Sequence, residues 1–582
     1  MTTELLFNEQ LQILLLSLVP GLPLAAALAL LVRPLRKVAL KLAPWSAVPA
    51  LAVALFLGPG IDLEVAWFFM GGRMGLDLVG RNFLLLAALV WLLSAFFGQG
   101  YLAHDQRRYR FYFFFLLCMG FNFGLILARD MLGFYLFFSL MSFCAYGLVV
   151  HTRSREALRA GRVYIILVML GEVLLLSGML VMAGDLTDLE LTTIAGSRPD
   201  SLGLLLLLVG FGIKAGALPL HVWLPLAHPV APAPASAVLS GVMIKAGLLG
   251  WLRFLPTSLD TAMPGWGMAF VGIGFLAAFY GVAVGLCQQD PKTVLAYSSI
   301  SQMGVMTAIV GCGLLAPQLW LPVTGAVCLY ALHHGLAKGS LFLGAGVAKL
   351  RPASGSSRWW PGALLLLPCL ALAGFPLTGG AIAKLAVKEM SHGLPPGWMK
   401  LFALLLPLSA VATTMLLYHF LARILQSSGG DGRICPPPMI TAWIVSVLLG
   451  GGILWVWPPG ESGAFSPLAP AILWQGLWPV ALGCALMVCI GRIREGKKRC
   501  TLPAGDMLWL FSGRSFGAAG LWRRSREKMR MAEAAAGWWS PVDPWAILDR
   551  GRQVEKKLLR WSVVGFCYLL LCFVLLSLLL RM

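Results

Sequence analysis

The sequence is poor in charge. Only 12% of the 582 residues are Asp, Glu, Lys or Arg, whereas 59% are hydrophobic, and the mean hydropathy is +0.82. A soluble globular protein of this length would carry about twice that share of charged residues. The composition therefore excludes a soluble protein and predicts an integral membrane protein.

Motifs that hold cofactors are also missing. The twelve cysteines form no C-x-x-C pair, so their spacing suits neither an iron–sulfur cluster nor a zinc site. No P-loop and no strand followed by G-x-G-x-x-G is present. We expect no cofactor, no metal and no redox centre in this chain, so its driving energy must enter through a partner.

Apolar runs are what the sequence has in abundance. A run of about 18 residues or more spans a bilayer as a helix. Such runs recur about sixteen times, near 10–32, 38–58, 80–101, 111–128, 131–150, 162–183, 202–225, 236–256, 263–287, 293–315, 320–350, 362–390, 398–424, 439–457, 469–491 and 562–581. They predict an all-α polytopic membrane protein, and the first run is interpreted as a retained helix because no small-residue cleavage site follows it.

The charges between these runs alternate in sign. Loops after odd-numbered runs are basic, as at 33–41, 107–110 and 153–162, and loops after even-numbered runs are mostly acidic, as at 62–77 and 185–200. The positive-inside rule then places the odd loops in the cytoplasm and both termini on the other side of a prokaryotic inner membrane. The net charge of +20 follows from this topology, so no nucleic-acid partner is expected.

The runs also suggest an internal duplication. Runs 4–8 and 9–13 are two groups of five, and an odd number of helices reverses the orientation of the second group. Run 7 is interrupted near Pro219 and run 12 at Gly374 to Pro376. The predicted segments are 1–105 (helices 1–3), 106–258 (first inverted repeat), 259–425 (second inverted repeat), 426–491 (helices 14–15), 492–561 (a basic segment) and 562–582 (helix 16).

The basic segment 492–561 is interrupted by glycines and prolines and contains neighbouring tryptophans. Short amphipathic helices on the cytoplasmic membrane surface, with arginines near anionic lipid, account for this composition. A solvated linker that tethers the last helix is the alternative.

Ionisable residues inside apolar runs are the candidates for function, because a charge in hydrocarbon usually faces a bundle interior or a water-filled path. The predicted proton pathway consists of Glu172, Lys214, Lys245, His334, Lys338 and Lys384. Each has a structural alternative. Lysines near the ends of runs, such as Lys388 beside Glu389, can extend to the interface, and His221, His228 and His333 can serve packing or the ordering of a turn.

Three stretches resemble the antiporter-like subunits of respiratory complex I, of Mrp cation/proton antiporters and of energy-converting hydrogenases. They are residues 210–247, 289–304 and 334–346, in the same order as in that family, and the resemblance extends over roughly 77–425. It implies a proton-translocating fold of two inverted five-helix repeats with broken helices.

The resemblance also implies roles by position. Lys214 matches the lysine of the broken seventh helix, which belongs to an ion pair that gates protonation, and Lys245 matches the central residue of the eighth. His334 and Lys338 match the eleventh-helix pair that continues the central path. Lys384 matches the twelfth-helix residue at which the path turns to the far side.

One position departs from the family. Ser139 stands where a fifth-helix glutamate would partner the seventh-helix lysine, and a hydroxyl cannot supply that negative charge. Glu172, in the middle of run 6, is the candidate replacement, since an unpaired carboxylate there would be neutral or would find a cation. The alternative is a neutral Glu172 that is hydrogen-bonded to a neighbouring helix.

The expected function is proton translocation by one subunit of a redox-driven membrane complex. The expected partners are other membrane subunits, peripheral redox subunits and membrane lipids. One alternative is a subunit of an Mrp-type cation/proton antiporter, or a relative coupled to uptake of another solute. The other is a non-pumping structural subunit, which the missing carboxylate at Ser139 would favour.

Overall fold

The computed structural model describes residues 9–65, 72–184, 186, 188–197, 200–257, 262–350, 360–426, 435–457, 469–493 and 502–505. These residues form α-helices and one β-hairpin. The helices are α1 (Glu9–Ala29), α2 (Arg36–Leu42), α3 (Val48–Phe56), α4 (Leu78–Tyr101), α5 (Arg108–Leu127), α6 (Met131–Val149), α7 (Arg155–Ala183), α8 (Leu191–Gly196), α9 (Ser201–Ala215), α10 (Trp223–Val230), α11 (Ala233–Val238), α12 (Lys245–Phe254), α13 (Pro264–Gly285), α14 (Pro291–Leu315), α15 (Trp320–Leu350), α16 (Trp360–Ala373), α17 (Gly379–Ser391), α18 (Pro396–Gln426), α19 (Pro437–Val456) and α20 (Pro470–Ile493).

The all-α polytopic membrane fold is confirmed, whereas the count of sixteen spans is not. Among the described residues thirteen helices are long and apolar enough to cross a membrane, or fourteen if a bent pair is one span. That pair, Arg33–Leu42 with Pro44–Phe56, bends by 58°. Run 12 divides into two helices that are each too short to qualify, α16 and α17. Run 16 and nearly all of the basic segment 492–561 lie outside the described residues.

The centre of the bundle is formed by three spans. Every residue of the most apolar window in the α11–α12 span is buried, and so is 94% of the corresponding window in α14. The long helix α15 packs against α4, α14, α16, α17 and α19. At the periphery only 17% of the α20 window is buried. Three of the six predicted residues, Lys245, His334 and Lys338, lie on these central spans.

Helix starts follow capping rules. Asp77, Asp130, Ser154, Asp200 and Asp290 each precede a helix, and each side chain accepts a hydrogen bond from a backbone N–H in the first turn at 2.7 to 3.1 Å. Such a cap satisfies an N–H that has no partner within its helix. These caps fix where α4, α6, α7, α9 and α14 begin.

The two broken spans confirm the predicted interruptions. α9 ends at Gly216, whose φ of +71° is left-handed, and a Cβ there would lie 2.3 Å from Leu224 Cδ1. α16 ends at Gly374, with φ of +87°. A glycine is needed at both positions because other residues are strained at such φ angles. A third irregularity, unforeseen from the sequence, is a π-helical turn over Leu239–Met243 between α11 and α12.

A hairpin and an ion network, also unforeseen, lie directly before the start of α4. Strand β1 (Ile61–Val65) pairs antiparallel with β2 (Gly72–Leu76). Asp77, directly after β2, accepts hydrogen bonds from Arg253 on α12 and from Arg129, the latter at 3.0 Å. Burial alone would raise the pKa of the Asp77 carboxyl, but the charge and hydrogen bonds of Arg253, with help from Gly80 N–H and Arg129, hold this pKa below its usual range.

Candidate functional site

Lys214 lies in the last turn of α9, just before the break at Gly216, and its side chain is only 4% exposed. Its Nζ donates to Ser142 Oγ at 3.0 Å and to Tyr164 Oη at 3.5 Å. Both acceptors are side-chain hydroxyls from neighbouring helices, α6 and α7. The lysine therefore faces the bundle interior and not lipid, as its position in the sequence predicts.

Glu172 lies on the same buried stripe of α7 as Tyr164 and is 2% exposed. The hydroxyl of Ser139 donates to its Oε2, and Ser142 adjoins the same carboxyl. Within the described chain no ion pair of 4.0 Å or less joins Glu172 to Lys214, yet the two charges interact electrostatically. Ser139, Ser142, Tyr164, Glu172 and Lys214 thus form one buried group, hereafter the first cluster.

The π-helical turn positions a second group. Lys245, 1% exposed at the start of α12, donates through Nζ to the carbonyl oxygen of Ser240 at 2.5 Å. Ser240 Oγ lies 2.7 Å from Ser299 Oγ, and Ser299 in turn donates to the Leu295 carbonyl at 3.0 Å. A π-turn displaces backbone groups from the regular helical ladder, and this displacement leaves the Ser240 carbonyl open to the lysine.

Lys338 donates to the carbonyl that also accepts from Ser299, that of Leu295. Its Nζ donates to Leu295 O at 2.9 Å, and its side chain is fully buried. His334, one turn earlier on α15, is also fully buried and interacts electrostatically with both Lys245 and Lys338. Ser240, Lys245, Ser299, His334 and Lys338 are the central cluster, in which two lysines flank a pair of hydrogen-bonded hydroxyls.

The third site lies at the break between α16 and α17. Lys384 Nζ donates to the Ala373 carbonyl at 2.6 Å, one residue before Gly374. A Cβ at Gly374 would lie 3.0 Å from this Nζ, so the left-handed glycine also provides the space that the ammonium occupies. Unlike the other lysines of the predicted pathway, Lys384 is half-buried.

A cavity of about 290 Å³ adjoins Lys384. Polar groups on its wall include Lys388, His392 and Gln475, and Lys388 Nζ donates to Gln475 Oε1 at 2.8 Å. Lys388 therefore lies on the cavity wall, whereas its neighbour Glu389 is exposed. The lysine at the second break faces an open space, in contrast to the enclosed first cluster.

The residue before His334 brings α15 close to α17. A Cβ at Gly380, in the first turn of α17, would lie 2.8 Å from His333 Nε2. His333 interacts electrostatically with both His334 and Lys384. On the other side of the central cluster, no hydrogen bond between described residues joins Lys214 directly to Lys245.

The two histidines of the proline-rich turn lie between Lys214 and Lys245 in the sequence. His221 packs edge-on against Tyr280, with ring centroids 5.5 Å apart, and His228 stacks on Phe342 at 4.5 Å. Both rings are fully buried. Their aromatic contacts agree with a role in ordering the turn.

Several polar residues of the site were not singled out from the sequence. Ser240 and Ser299 are ordinary members of apolar runs, and only the π-turn reveals that they meet. Tyr330 on the cavity wall donates to Gln302 Oε1 at 2.8 Å, and Gln302 Nε2 donates to Thr413 Oγ1 at 2.8 Å. Their one signal in the sequence is the polar content of residues 297–304 within a predicted span.

The chemistry of the site is that of proton exchange. Ammonium, carboxyl, imidazole and hydroxyl groups accept and release protons, whereas the carbonyls of Ser240, Leu295 and Ala373 only hold the lysines in place. Among the described residues no group of three or more His, Cys, Asp or Glu is arranged to hold a metal ion.

The chain is similar to known membrane proteins. Residues 128–409 match the family described as NADH:quinone oxidoreductase/Mrp antiporter, transmembrane region. The chain is 34% identical to hydrogenase-4 component B of Escherichia coli over 284 residues, and 28% identical to Na(+)/H(+) antiporter subunit A1 of Staphylococcus aureus over 342 residues. These alignments cover 45% and 54% of this chain. Residues 128–409 are therefore similar to the transmembrane region of antiporter-like membrane subunits.

Solved structures share the fold. A chain of the Mrp complex from Dietzia sp. DQ12-45-1b aligns with a TM-score of 0.70 and 20% identity over 92% of this chain and 65% of that chain. A chain of the membrane-bound sulfane sulfur reductase, an archaeal respiratory membrane complex, aligns with a TM-score of 0.63 and 20% identity over 82% of this chain and 99% of that chain. The matched segments span only 42% of the length of each of the two curated relatives named above.

Proposed function

We propose that this chain, which resembles antiporter-like membrane subunits, translocates protons across a prokaryotic inner membrane as one subunit of a larger complex. Other membrane subunits would flank it, and peripheral redox subunits would supply the driving reaction. The observation that carries the proposal is the central cluster. Two buried lysines there donate to the backbone carbonyls of Ser240 and Leu295, which adjoin one hydrogen-bonded serine pair, beside a buried histidine. Such groups are costly in a membrane interior unless they serve transport.

The first cluster would act as the switch. Glu172 would supply the negative charge that the family places at the position of Ser139 on α6. Ser139 and Ser142 would lie between the Glu172 carboxyl and the Lys214 ammonium. A nearby carboxylate favours the charged form of a buried lysine, so a shift of Glu172 away from Lys214 would release a proton. The His221 turn would carry that event towards Lys245.

The remaining residues would complete the route. Protons would cross the central cluster through the Ser240–Ser299 hydroxyls and pass along His334 and His333 to Lys384. The cavity beside Lys384 would then open the path to one side of the membrane. The chain would add no redox centre and no cofactor of its own.

The topology inferred from the charges belongs to the same proposal. The loops at 33–41, 107–110 and 153–162 would be cytoplasmic, with both termini on the opposite side. Residues 106–258 and 259–425 would be inverted repeats, each with one broken helix that ends beside a lysine. The basic segment 492–561 would lie along the cytoplasmic surface and brace neighbouring subunits.

The test is proton flux in proteoliposomes that contain the purified complex, with a potassium diffusion potential as the driving force and a pH-sensitive dye inside. Lys338→Met removes the exchangeable proton while keeping much of the side-chain volume. The flux should fall at least about tenfold, as expected for the loss of a positioned proton carrier. Lys400→Met, at an exposed position on α18, is the matched control and should leave flux unchanged. Wild-type flux in the Lys338→Met complex would contradict the proposal.

Two alternatives give different results. An Mrp-type antiporter subunit, favoured by the extent of the alignment to the Mrp complex chain, would show proton flux that depends on a sodium gradient and would copurify only with small membrane subunits. A non-pumping structural subunit would leave coupled activity intact in both Lys338→Met and Lys245→Met. Mass spectrometry of the copurifying subunits separates the first alternative from a redox-driven complex.

A further inference from the structure

A second concave site lies away from the proton pathway. It is a cavity of about 280 Å³ between α2, the end of α4 and the start of α5. Its wall includes the side chains of Lys37, Lys41, Arg108, Tyr109 and Gln99. None of these residues takes part in the first cluster, in the central cluster or in the site at Lys384.

The charge of this cavity is of one sign. Lys37 and Lys41 are one helical turn apart on α2, and both are exposed. Arg108 lies across the cavity, with its guanidinium 5.2 Å from the Tyr109 ring centroid. Residues 30–45 contain no Asp or Glu, and Asp105, the one acid in 98–112, lies 2.9 Å from His151 and does not line the cavity. Three cations therefore converge without a neutralising carboxylate, which is the composition of an anion site.

An apolar surface continues from the cavity. Val38, Leu42 and Trp45 follow one another at helical spacing beside the two lysines, and each is more than half exposed. Trp45 packs edge-on against Phe96 at 5.4 Å, which holds the indole at the edge of α4. A soluble anion has no use for such a surface, whereas the acyl chains of a lipid would cover it.

We propose that this cavity binds the phosphodiester headgroup of an anionic phospholipid, with its acyl chains along Val38, Leu42 and Trp45. Lys37 and Lys41 neutralise the phosphate and Arg108 donates to its oxygens. The Tyr109 hydroxyl, which accepts from Arg108 at 3.5 Å, keeps its own proton to donate to the glycerol. The volume is slightly below the roughly 300 Å³ at which pockets for drug-sized ligands begin, so it suits a headgroup and not a whole lipid.

The site depends on close packing at its floor. The Tyr112 hydroxyl donates to the Ala95 carbonyl at 2.8 Å, and a Cβ at Gly98 would lie 2.8 Å from that hydroxyl oxygen. Gln99 Nε2 donates to the Leu40 carbonyl at 3.0 Å and so ties α4 to α2. These contacts hold the two lysines of α2 over the cavity independently of any ligand.

The experiment is native mass spectrometry of the complete chain with its copurifying subunits, after delipidation and addition of dioleoyl-phosphatidylglycerol. The double substitution Lys37→Gln/Lys41→Gln should weaken phosphatidylglycerol binding about 30-fold, because each surface cation contributes about a fivefold factor towards an anionic lipid. Lys37→Arg/Lys41→Arg keeps the charge and should retain binding. The control Arg155→Gln/Arg159→Gln removes two exposed cations of α7 outside the cavity and should have no effect.

Each other outcome overturns the proposal. Equal binding of dioleoyl-phosphatidylcholine would remove the role of the headgroup charge, and equal loss in the α7 control would mean diffuse attraction only. Equal retention of soluble glycerol 3-phosphate would make the ligand a free phosphate and not a lipid. Cross-linking of Lys37 or Lys41 to an acidic segment of a copurifying subunit would make the occupant a protein.

Discussion

The two broken spans have similar backbones and different surroundings. Lys214 and Lys384 each lie beside a left-handed glycine at the point where a helix stops. Lys214 donates to two side-chain hydroxyls beside a buried carboxyl, whereas Lys384 donates to a backbone carbonyl and faces a cavity of about 290 Å³. The same break therefore builds an enclosed site in the first half and an open one in the second.

This contrast suggests a division of labour. An enclosed lysine beside a carboxyl is sensitive to small displacements of that charge, because interactions are weakly screened in a low-dielectric interior. An open lysine exchanges with water and is insensitive to such displacements. Under the proposed function the first half controls protonation and the second half connects the path to the membrane surface.

The largest expected effect tests the carboxylate. Glu172→Gln should lower proton flux by more than roughly 100-fold, because it leaves Lys214 as a buried charge without compensation, at a cost of about 3 to 5 kcal/mol. Proteoliposome flux with the assembled complex measures it. The matched control is Glu389→Gln on α17, where the carboxylate is exposed, and flux there should stay at the wild-type level. Equal loss in both variants would end the distinction between the halves.

The next largest effect is expected in how fast a water-soluble reagent reaches each site. A cysteine at Ala381, on the cavity wall, should react with a membrane-impermeant methanethiosulfonate reagent at least about ten times faster than a cysteine at Ser142, which is 1% exposed. Mass spectrometry of labelled peptides measures both rates against the unsubstituted chain. Comparable rates would mean that the first cluster is as open as the second.

A smaller change tests where the carboxylate must stand. The double substitution Ser139→Glu/Glu172→Gln moves the carboxylate from α7 to α6, three residues before Ser142 and within one turn of it. We expect flux to recover to within about threefold of wild type, equivalent to about 0.7 kcal/mol. Ser139→Gln/Glu172→Gln has matched volume without the charge and should remain inactive. Failure of the glutamate to restore flux would show that α7 is an obligatory position for the carboxylate.

The smallest effect concerns pH and a group outside the spans. Burial lowers the pKa of His151, and this outweighs the opposing hydrogen bond and charge of Asp105, while Arg110 and Arg107 lower it further. The unfolded chain then binds a proton at higher pH than the folded chain. Stability is complete above the ordinary histidine pKa of about 6.5 and declines as pH falls below it.

The thermal midpoint of the complex should therefore fall by about one to two degrees between pH 7 and pH 5.5, a shift of the size expected for a single group in a long chain. The same decline should be absent in His151→Gln. The pH dependence of proton flux, where it is used to compare the two halves, is best measured in the His151→Gln complex. An unchanged midpoint in the wild-type complex would contradict this assignment.

Much of the site was predictable from residue type and position. Lys214, Lys245 and Lys338 fall deep in apolar runs, and a charge there has to face the protein interior. Glu172 was identified because Ser139 leaves the first half without its expected charge, and it does lie beside Ser139. That Glu172 controls Lys214 stays a prediction, and so do the inverted repeats.

Other features required the folded chain. The serine pair of the central cluster depends on a π-turn and on two helices that are 59 residues apart in sequence at Ser240 and Ser299. Local sequence does not encode which hydroxyls of neighbouring helices meet. The opening beside Lys384 likewise depends on how α17, α18 and α20 pack, and the hairpin at β1 and β2 depends on an ion network with distant arginines.

The sequence alone determined that this chain is a polytopic helical membrane protein, where its charges interrupt the spans and where two of those spans break. It did so because burial in hydrocarbon restricts the backbone to helices and allows few charges, so composition and glycine–proline placement carry that information. Tertiary structure decided that one broken span encloses its lysine with hydroxyls and a carboxyl while the other exposes its lysine to a cavity. That difference arises from the packing of side chains distant in sequence.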